Sequence, residues 1–366
     1  MTSLRFHAPY MEWAKARPSA RFDLAGSNMQ ACRIDEIPGV REAIGFEGNN
    51  ENGYPPLIES IASHYRVDIA QVTTAQGASG ANFLACAALL EPGDEVLVET
   101  PGYDPLLGAP RLLGARVNQF IRDFNEGFAL DPDRVQRALT PRTKLIIITN
   151  PHNPSGVLAD PDALESIGRL ARAHGAHVLL DEVYLDVAQA AASRPPVQAD
   201  PTFAFRSDVF VCTNSLTKSY GLSGLRCGWI LSSGDVAERI RRTRDVVDGT
   251  GSILAERLAV AAFRHLDRLL HRAISLLDTN RPIVRSWLES RNDLAWAPSA
   301  GTVVFPRLRR VNDASAFAER LMNERDTAVV PGRFFQAPPH VRIGFGGPTE
   351  TVRAGLRAIA ETLDQI

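Results

Sequence analysis

Short apolar, β-rich runs alternate with helical stretches along the middle of this chain, and that rhythm predicts most of its elements. Val72-Thr73-Thr74 reads as a strand, and Gly77-Ala78-Ser79-Gly80 then opens an apolar helix from Ala81 to Leu90. A strand over Glu95 to Glu99, a helix from about Tyr103 to Leu113 and a strand from Ala115 to Ile121 follow. Lys144 to Thr149 is a continuous apolar run, the pattern of a strand covered on both faces. After it come a helix from Pro161 to His174 and strands over Ala176 to Leu180, Asp208 to Thr213 and Arg226 to Leu231. Strand–helix alternation of this kind predicts a largely parallel α/β sheet, and such sheets bind ligands beyond the carboxyl ends of their strands.

From about Val236 to Glu289 the pattern is helical and arginine-rich. After Pro282 the texture becomes α+β: strand Thr302 to Pro306, helix Ala314 to Asn323, strand Ala328 to Val330, strand Val341 to Phe345 and helix Thr349 to Leu363. This predicts a smaller C-terminal domain. Pro195-Pro196 and their surroundings read as the least ordered stretch, and no internal repeat is visible.

At 366 residues the chain is long enough for two domains, and 45% apolar residues allow a substantial core. A net charge of -2 offers no basic field to nucleic acid and no polybasic anchor for a membrane, and no apolar run approaches a bilayer span. The first residues lack the apolar stretch of a signal peptide, so a cytoplasmic protein is expected. Cys32, Cys86, Cys212 and Cys227 form no CxxC pair and read as reduced thiols. No metal site is expected; His174 and His177 read as capping or solvated residues.

The chain has only three lysines: Lys15, Lys144 and Lys218. Lys218 alone sits in a chemically loaded setting, Thr213-Asn214-Ser215-Leu216-Thr217-Lys218-Ser219-Tyr220-Gly221-Leu222-Ser223-Gly224-Leu225-Arg226. Lysine can lose its proton and form an imine with an aldehyde, which arginine cannot do. Arg226 and the hydroxyls suit a phosphate, so the stretch fits a phosphate-bearing aldehyde cofactor. Two further motifs follow strands: Thr149-Asn150-Pro151-His152-Asn153-Pro154-Ser155-Gly156, a loop of breakers and amides, and Asp181-Glu182-Val183-Tyr184. An acid at the end of an apolar strand could bind a metal, act as a base or hold a protonated ring nitrogen.

With these motifs in this order, from about Gly48 to Phe345, the chain resembles pyridoxal-phosphate enzymes of fold type I in the aspartate aminotransferase family (class I and II). The motifs that carry the resemblance are Asn-Pro-x-Asn-Pro-Ser-Gly, Asp-x-x-Tyr, Ser-x-x-Lys with Gly-Leu-x-Gly-Leu-Arg, and a final Arg-Ile-Gly. It implies a three-layer αβα large domain with a mainly parallel sheet over residues 41–281. A smaller α+β domain would combine residues 1–40 and 282–366. Lys218 would hold pyridoxal 5'-phosphate as an imine and then move the substrate's α-proton. Asp181 would keep the pyridine nitrogen protonated, and Asn153 and Tyr184 would hydrogen-bond the ring hydroxyl. Arg226, Ser215, Ser79 and the amides of Ala78 and Ser79 would hold the phosphate, Tyr103 would stack on the ring, and Arg342 would clamp the substrate carboxylate. Gly26 lies in a segment that resembles the strip closing over substrate.

Two positions depart from the family's pattern. Tyr54, the candidate for reaching the neighbouring subunit's phosphate, is followed by Pro55-Pro56 rather than a glycine-containing segment, and Gly80 replaces a common acidic residue. The resemblance implies a homodimeric aminotransferase exchanging amino and oxo groups between an L-amino acid and a 2-oxo acid. Val247 to Ser252 lacks the arginine that dicarboxylate-preferring relatives supply from the partner subunit and has Asp248 instead. The expected donor is therefore neutral, aromatic or basic. The same cofactor would also serve a carbon–sulfur β-lyase or an amino-acid cyclase, and a non-catalytic regulatory domain is a remote alternative.

Overall fold

The computed structural model describes residues 7–192, 202–204 and 206–365; the Pro195-Pro196 stretch lies outside the described residues. Seven strands form the central sheet: β1 (Val72–Gln76), β2 (Glu95–Thr100), β3 (Arg116–Ile121), β4 (Thr143–Thr149), β5 (His177–Asp181), β6 (Phe210–Ser215) and β7 (Cys227–Leu231). Their spatial order is β1-β7-β6-β5-β4-β2-β3. Strand β7 runs antiparallel to both β1 and β6, and every other pairing is parallel. The mainly parallel α/β reading holds, with this one reversed strand.

The apolar run at Lys144–Thr149 is buried on both faces because its side chains alternate. Ile146 and Ile148 join Leu97, Val178 and Leu180 in the core on one side. Leu145 and Ile147 join Val96, Val98, Leu179 and Val211 on the other. Helices cover both faces, among them Pro55–Tyr65 and Gly77–Leu89. The second begins at Gly77, so the Gly-Ala-Ser-Gly opener forms its first turn.

The chain's two ends meet away from the sheet. Phe22–Asp23 pairs in parallel with Thr327–Ala328, and Val341–Gly344 pairs with Val303–Val304 and Val330–Pro331. Leu24 and Met29 pack with Ile343, Phe345 and Leu356 in one core. Pro282 marks no break: it lies inside the long helix Leu266–Glu289. The sequence reading missed the helix Pro9–Ala16, which proves to overlie the site.

Candidate active site

Loops at one edge of the sheet surround a cavity of about 540 Å³. Strands β4, β5 and β6 end at this edge with Thr149, Asp181 and Ser215. Because β7 is reversed, its beginning arrives there too: Cys227 pairs with Gln76 and Gly228 with Ser215. Arg226, one residue before β7, therefore reaches the same edge as residues that follow the parallel strands. The cavity is lined by Gly26, Ala78, Ser79, Tyr103, Asn153, Asp181, Tyr184, Ser215, Lys218, Arg226 and Arg342. Of the candidate residues from the sequence, Tyr54 is the one outside the lining. It caps the helix Pro55–Tyr65, and its backbone N–H donates to Glu256 Oε2 at 2.9 Å.

Lys218 is half-buried, and its Nζ donates to Asn28 Oδ1 at 2.7 Å and Ser27 Oγ at 3.2 Å. Burial is the main cause that brings its pKa down to about 8; the Tyr10 phenol opposes that shift and the Arg342 charge adds to it. The Tyr184 hydroxyl donates to the same Ser27 Oγ at 2.8 Å, and burial pushes its pKa up to about 12.

Asp181 is buried, and burial raises its pKa above the usual carboxylate value. Its Oδ2 accepts from Asn82 Nδ2 at 2.8 Å, and Asn82 Oδ1 accepts from Thr213 Oγ1 at 2.6 Å. The Thr213 bond fixes which end of the Asn82 amide faces the acid. No sequence motif marked Asn82; an asparagine on an otherwise apolar helix face was the available signal.

Arg342 is almost fully buried. It donates through Nη1 to Asn153 Oδ1 at 3.0 Å, and through Nη2 to the Tyr10 hydroxyl at 2.7 Å and the Ala25 carbonyl at 3.0 Å. Asn153 thus turns its oxygen to Arg342, which leaves its Nδ2 donors for the cavity. Burial pushes the Tyr10 phenol's pKa up, but the charges of Arg342 and Lys218 and the Arg342 hydrogen bond outweigh it, and the net shift is downward. Tyr10 was invisible in the sequence because the helix carrying it bears no motif. Gly344 explains the glycine of Arg-Ile-Gly: a Cβ there would meet the Gly26 carbonyl oxygen at 1.8 Å.

The Asn153 and Tyr103 loops are tied by His152. Its Nε2 donates to the Pro101 carbonyl at 2.8 Å, and its Nδ1 accepts from Ser155 Oγ at 2.7 Å. Burial and the nearby Arg122 charge hold its pKa well below the usual histidine value, so the ring is neutral.

The first turn of helix Gly77–Leu89 presents its unpaired backbone N–H groups beside Arg226, a pairing that suits a phosphate dianion. Gly77 has φ +69°, and a Cβ there would lie 2.4 Å from Arg226 Nη2. Gly77→Ala should therefore push the guanidinium off the turn as well as strain the backbone. The expected result is about a tenfold or greater loss of affinity for pyridoxal phosphate, the size of one charge-assisted hydrogen bond, with affinity for unphosphorylated pyridoxal unchanged. Spectrophotometric titration of the two aldehydes checks this.

The sequence profile of the aminotransferase class I and II family matches residues 46–359, and the chain belongs to that family. Its cofactor is pyridoxal 5'-phosphate. Capreomycidine synthase of Streptomyces vinaceus is 32% identical over 97% of this chain and 93% of its own length. A pyridoxal-phosphate-dependent aminotransferase from Streptococcus suis superposes with a TM-score of 0.90 at 27% identity, over 100% of this chain and 99% of that one. The pyridoxal-phosphate-dependent cyclase OrfR superposes with a TM-score of 0.84 at 28% identity, with both chains fully covered. Among the described residues no helix is long and apolar enough to cross a membrane, and no cluster of side chains suits a metal ion.

Proposed function

We propose that the chain is an aminotransferase that moves an amino group between an L-amino acid and a 2-oxo acid. The observation that carries this reading is the convergence of Lys218, Asp181, Asn153 and Arg342 on one cavity. These residues fit pyridoxal phosphate. Asp181 is a buried acid suited to a protonated ring nitrogen, and the absence of a Cβ at Gly77 lets the Arg226 guanidinium lie against the helix's first turn, where both face the cavity. Bound there, the cofactor supplies an electron sink for the carbanion at the substrate's α-carbon. Asp181 would keep the ring nitrogen protonated, Asn153 Nδ2 would donate to the ring oxygen, and the Tyr184 hydroxyl would join it by turning its one proton from Ser27 Oγ. Tyr103 would cover one face of the ring. Ser79, Ser215, Arg226 and the N–H groups of Ala78 and Ser79 would hold the phosphate. Arg342 would take the substrate carboxylate in a forked contact, beside Gly26. Lys218 would carry the α-proton: a lysine with its pKa near 8 exchanges protons readily near neutrality.

A depressed lysine pKa means that the reactive neutral amine gains population as pH rises. Uptake of pyridoxal phosphate by the apoprotein should therefore speed up with pH and level off above about 8. Stopped-flow absorbance reads this, and a rate still climbing steeply past pH 9.5 would show an unshifted amine.

The reading includes a donor that is neutral, aromatic or basic. Val247 to Ser252 holds no arginine, and Arg17 at the cavity is paired with Asp23 at 2.6 Å. Aspartate turning over faster than every neutral or basic amino acid would defeat this part. It also includes a cytoplasmic homodimer in which Tyr54 serves the partner's site, and a division into residues 41–281 against 1–40 with 282–366.

The likeness to capreomycidine synthase and to a cyclase supports a second reading, cyclisation on the same machinery. The experiment is to titrate the holoenzyme with a panel of amino acids and then with 2-oxo acids. If an amino acid bleaches the visible absorbance and an oxo acid restores it, transamination stands. Product formed without an oxo acid, with the absorbance retained, favours cyclisation or elimination.

A further inference from the structure

Glu99 and Arg122 are buried, carry opposite charges and lie outside the residues assigned above. Arg122 Nη1 contacts Glu99 Oε2 at 3.0 Å, and Arg122 Nε donates to the Phe128 carbonyl at 2.8 Å. Glu99 Oε1 accepts twice from Thr149: from its backbone N–H at 2.7 Å and from its hydroxyl at 2.5 Å. The Thr149 hydroxyl in turn accepts the Asn153 backbone N–H at 2.8 Å, and Asn153 Oδ1 accepts from Arg342 at 3.0 Å.

We propose that the Glu99–Arg122 pair is a positioning unit, acting through Thr149, that sets Asn153 and Arg342 for the reaction.

The direction of each bond carries the argument. The Thr149 hydroxyl has one proton, and the Glu99 carboxylate takes it. Its lone pairs then face Asn153, so the hydroxyl serves as an acceptor at the point where the loop begins. A neutral acid at position 99 could donate to that hydroxyl and reverse the sequence. Arg122 works against this: burial raises the Glu99 pKa on balance, and the Arg122 charge at 3.0 Å, with the Thr149 hydrogen bonds, opposes that rise. All five side chains are buried; Thr149, Asn153 and Arg342 reach the cavity lining, while Glu99 and Arg122 lie behind it, where water is kept from the ion pair. Strand β2 carries Glu99 and strand β4 carries Thr149, so the unit also locks together the two strand ends from which the Tyr103 and Asn153 loops leave.

The inference rests on the proposed roles of Asn153 and Arg342. Its test therefore separates the two. Holoenzyme is prepared as wild type, Thr149→Val and Thr149→Ser. Two quantities are read: the pH midpoint of the bound cofactor's visible absorbance, and the dissociation constant of propionate, a simple carboxylate, from its perturbation of that absorbance. Valine preserves shape but neither accepts from Asn153 nor donates to Glu99; serine does both. The expected result is a propionate constant weakened about fivefold or more in Thr149→Val, the scale of one lost hydrogen bond, with a shifted midpoint. Thr149→Ser should stay within about twofold of wild type, below the effect of one such bond. A purely structural role would lower the melting temperature of Thr149→Val and leave both readings in place; that outcome overturns the proposal, as does equal damage in Thr149→Ser. Should Thr149→Val not fold, Glu99→Gln, whose neutral amide turns a donor to Thr149 when its oxygen faces Arg122, reads the same quantities with Thr149 intact, and unchanged values there also overturn it. Wild type that shows no response to propionate would instead count against the functional reading itself.

Discussion

Lys218→Ala protein is expected to lose turnover by about 10⁴-fold or more, the upper end of what removal of a positioned acid–base group costs, with the covalent role of the amine lost besides. The amine lies at the cavity wall, held by Asn28 and Ser27, and burial lowers its pKa to about 8. Of the other two lysines, Lys144 belongs to strand β4 and lies outside the cavity lining, whereas Lys15 reaches that lining from the helix Pro9–Ala16 but is exposed. Lys144→Ala should therefore turn over like wild type. Lys218→Arg should fail as alanine does, since guanidinium keeps its proton and forms no imine. Steady-state assays with the best amino acid and oxo acid decide it. Ordinary transamination by the Lys218→Ala protein would remove this residue from the chemistry and the functional reading with it.

Asp181→Asn should cost about 10²–10⁴-fold in turnover, which corresponds to the roughly 3–5 kcal/mol lost when one partner of a buried charge pair is removed. The substitution keeps the volume of the side chain and takes away its charge. Burial already raises the pKa of Asp181, so its charge is costly unless a cation faces it. Asn82 contributes a neutral donor only. A protonated ring nitrogen would complete the pair, and an amide cannot favour that proton to the same degree. Pyridoxal phosphate should still bind, since its phosphate contacts are elsewhere, so turnover should fall far more than cofactor affinity. Equal losses in both would show that Asp181 only anchors the cofactor.

Much of this architecture was legible in the order of residues. The alternation of apolar runs located the seven strands because a strand covered on both faces needs continuous apolar sequence, as at Leu145 to Ile148. Lys218, Asp181, Asn153, Arg226 and Arg342 stood out because each sits in a local motif beside a strand. The helix Pro9–Ala16 did not, although it brings Tyr10 to Arg342. Neither did Asn82, whose value lies in the Asp181 and Thr213 groups across from it, or the Glu99–Arg122 pair, whose members are distant from Asn153 in the chain.

The sequence by itself determined the strand rhythm and the family's motifs and singled out Lys218 as the candidate amine, since these rest on neighbours within a few positions. Only the tertiary structure decided that β7 is reversed, which carries Arg226 to the edge where the parallel strands end. Strand direction depends on which partner supplies the hydrogen bonds, and the apolar pattern of a strand is the same in either direction. For the same reason the orientations of Asn82 and Asn153 came only from the fold: an amide side chain is turned by the groups packed against it, and those come from remote parts of the chain.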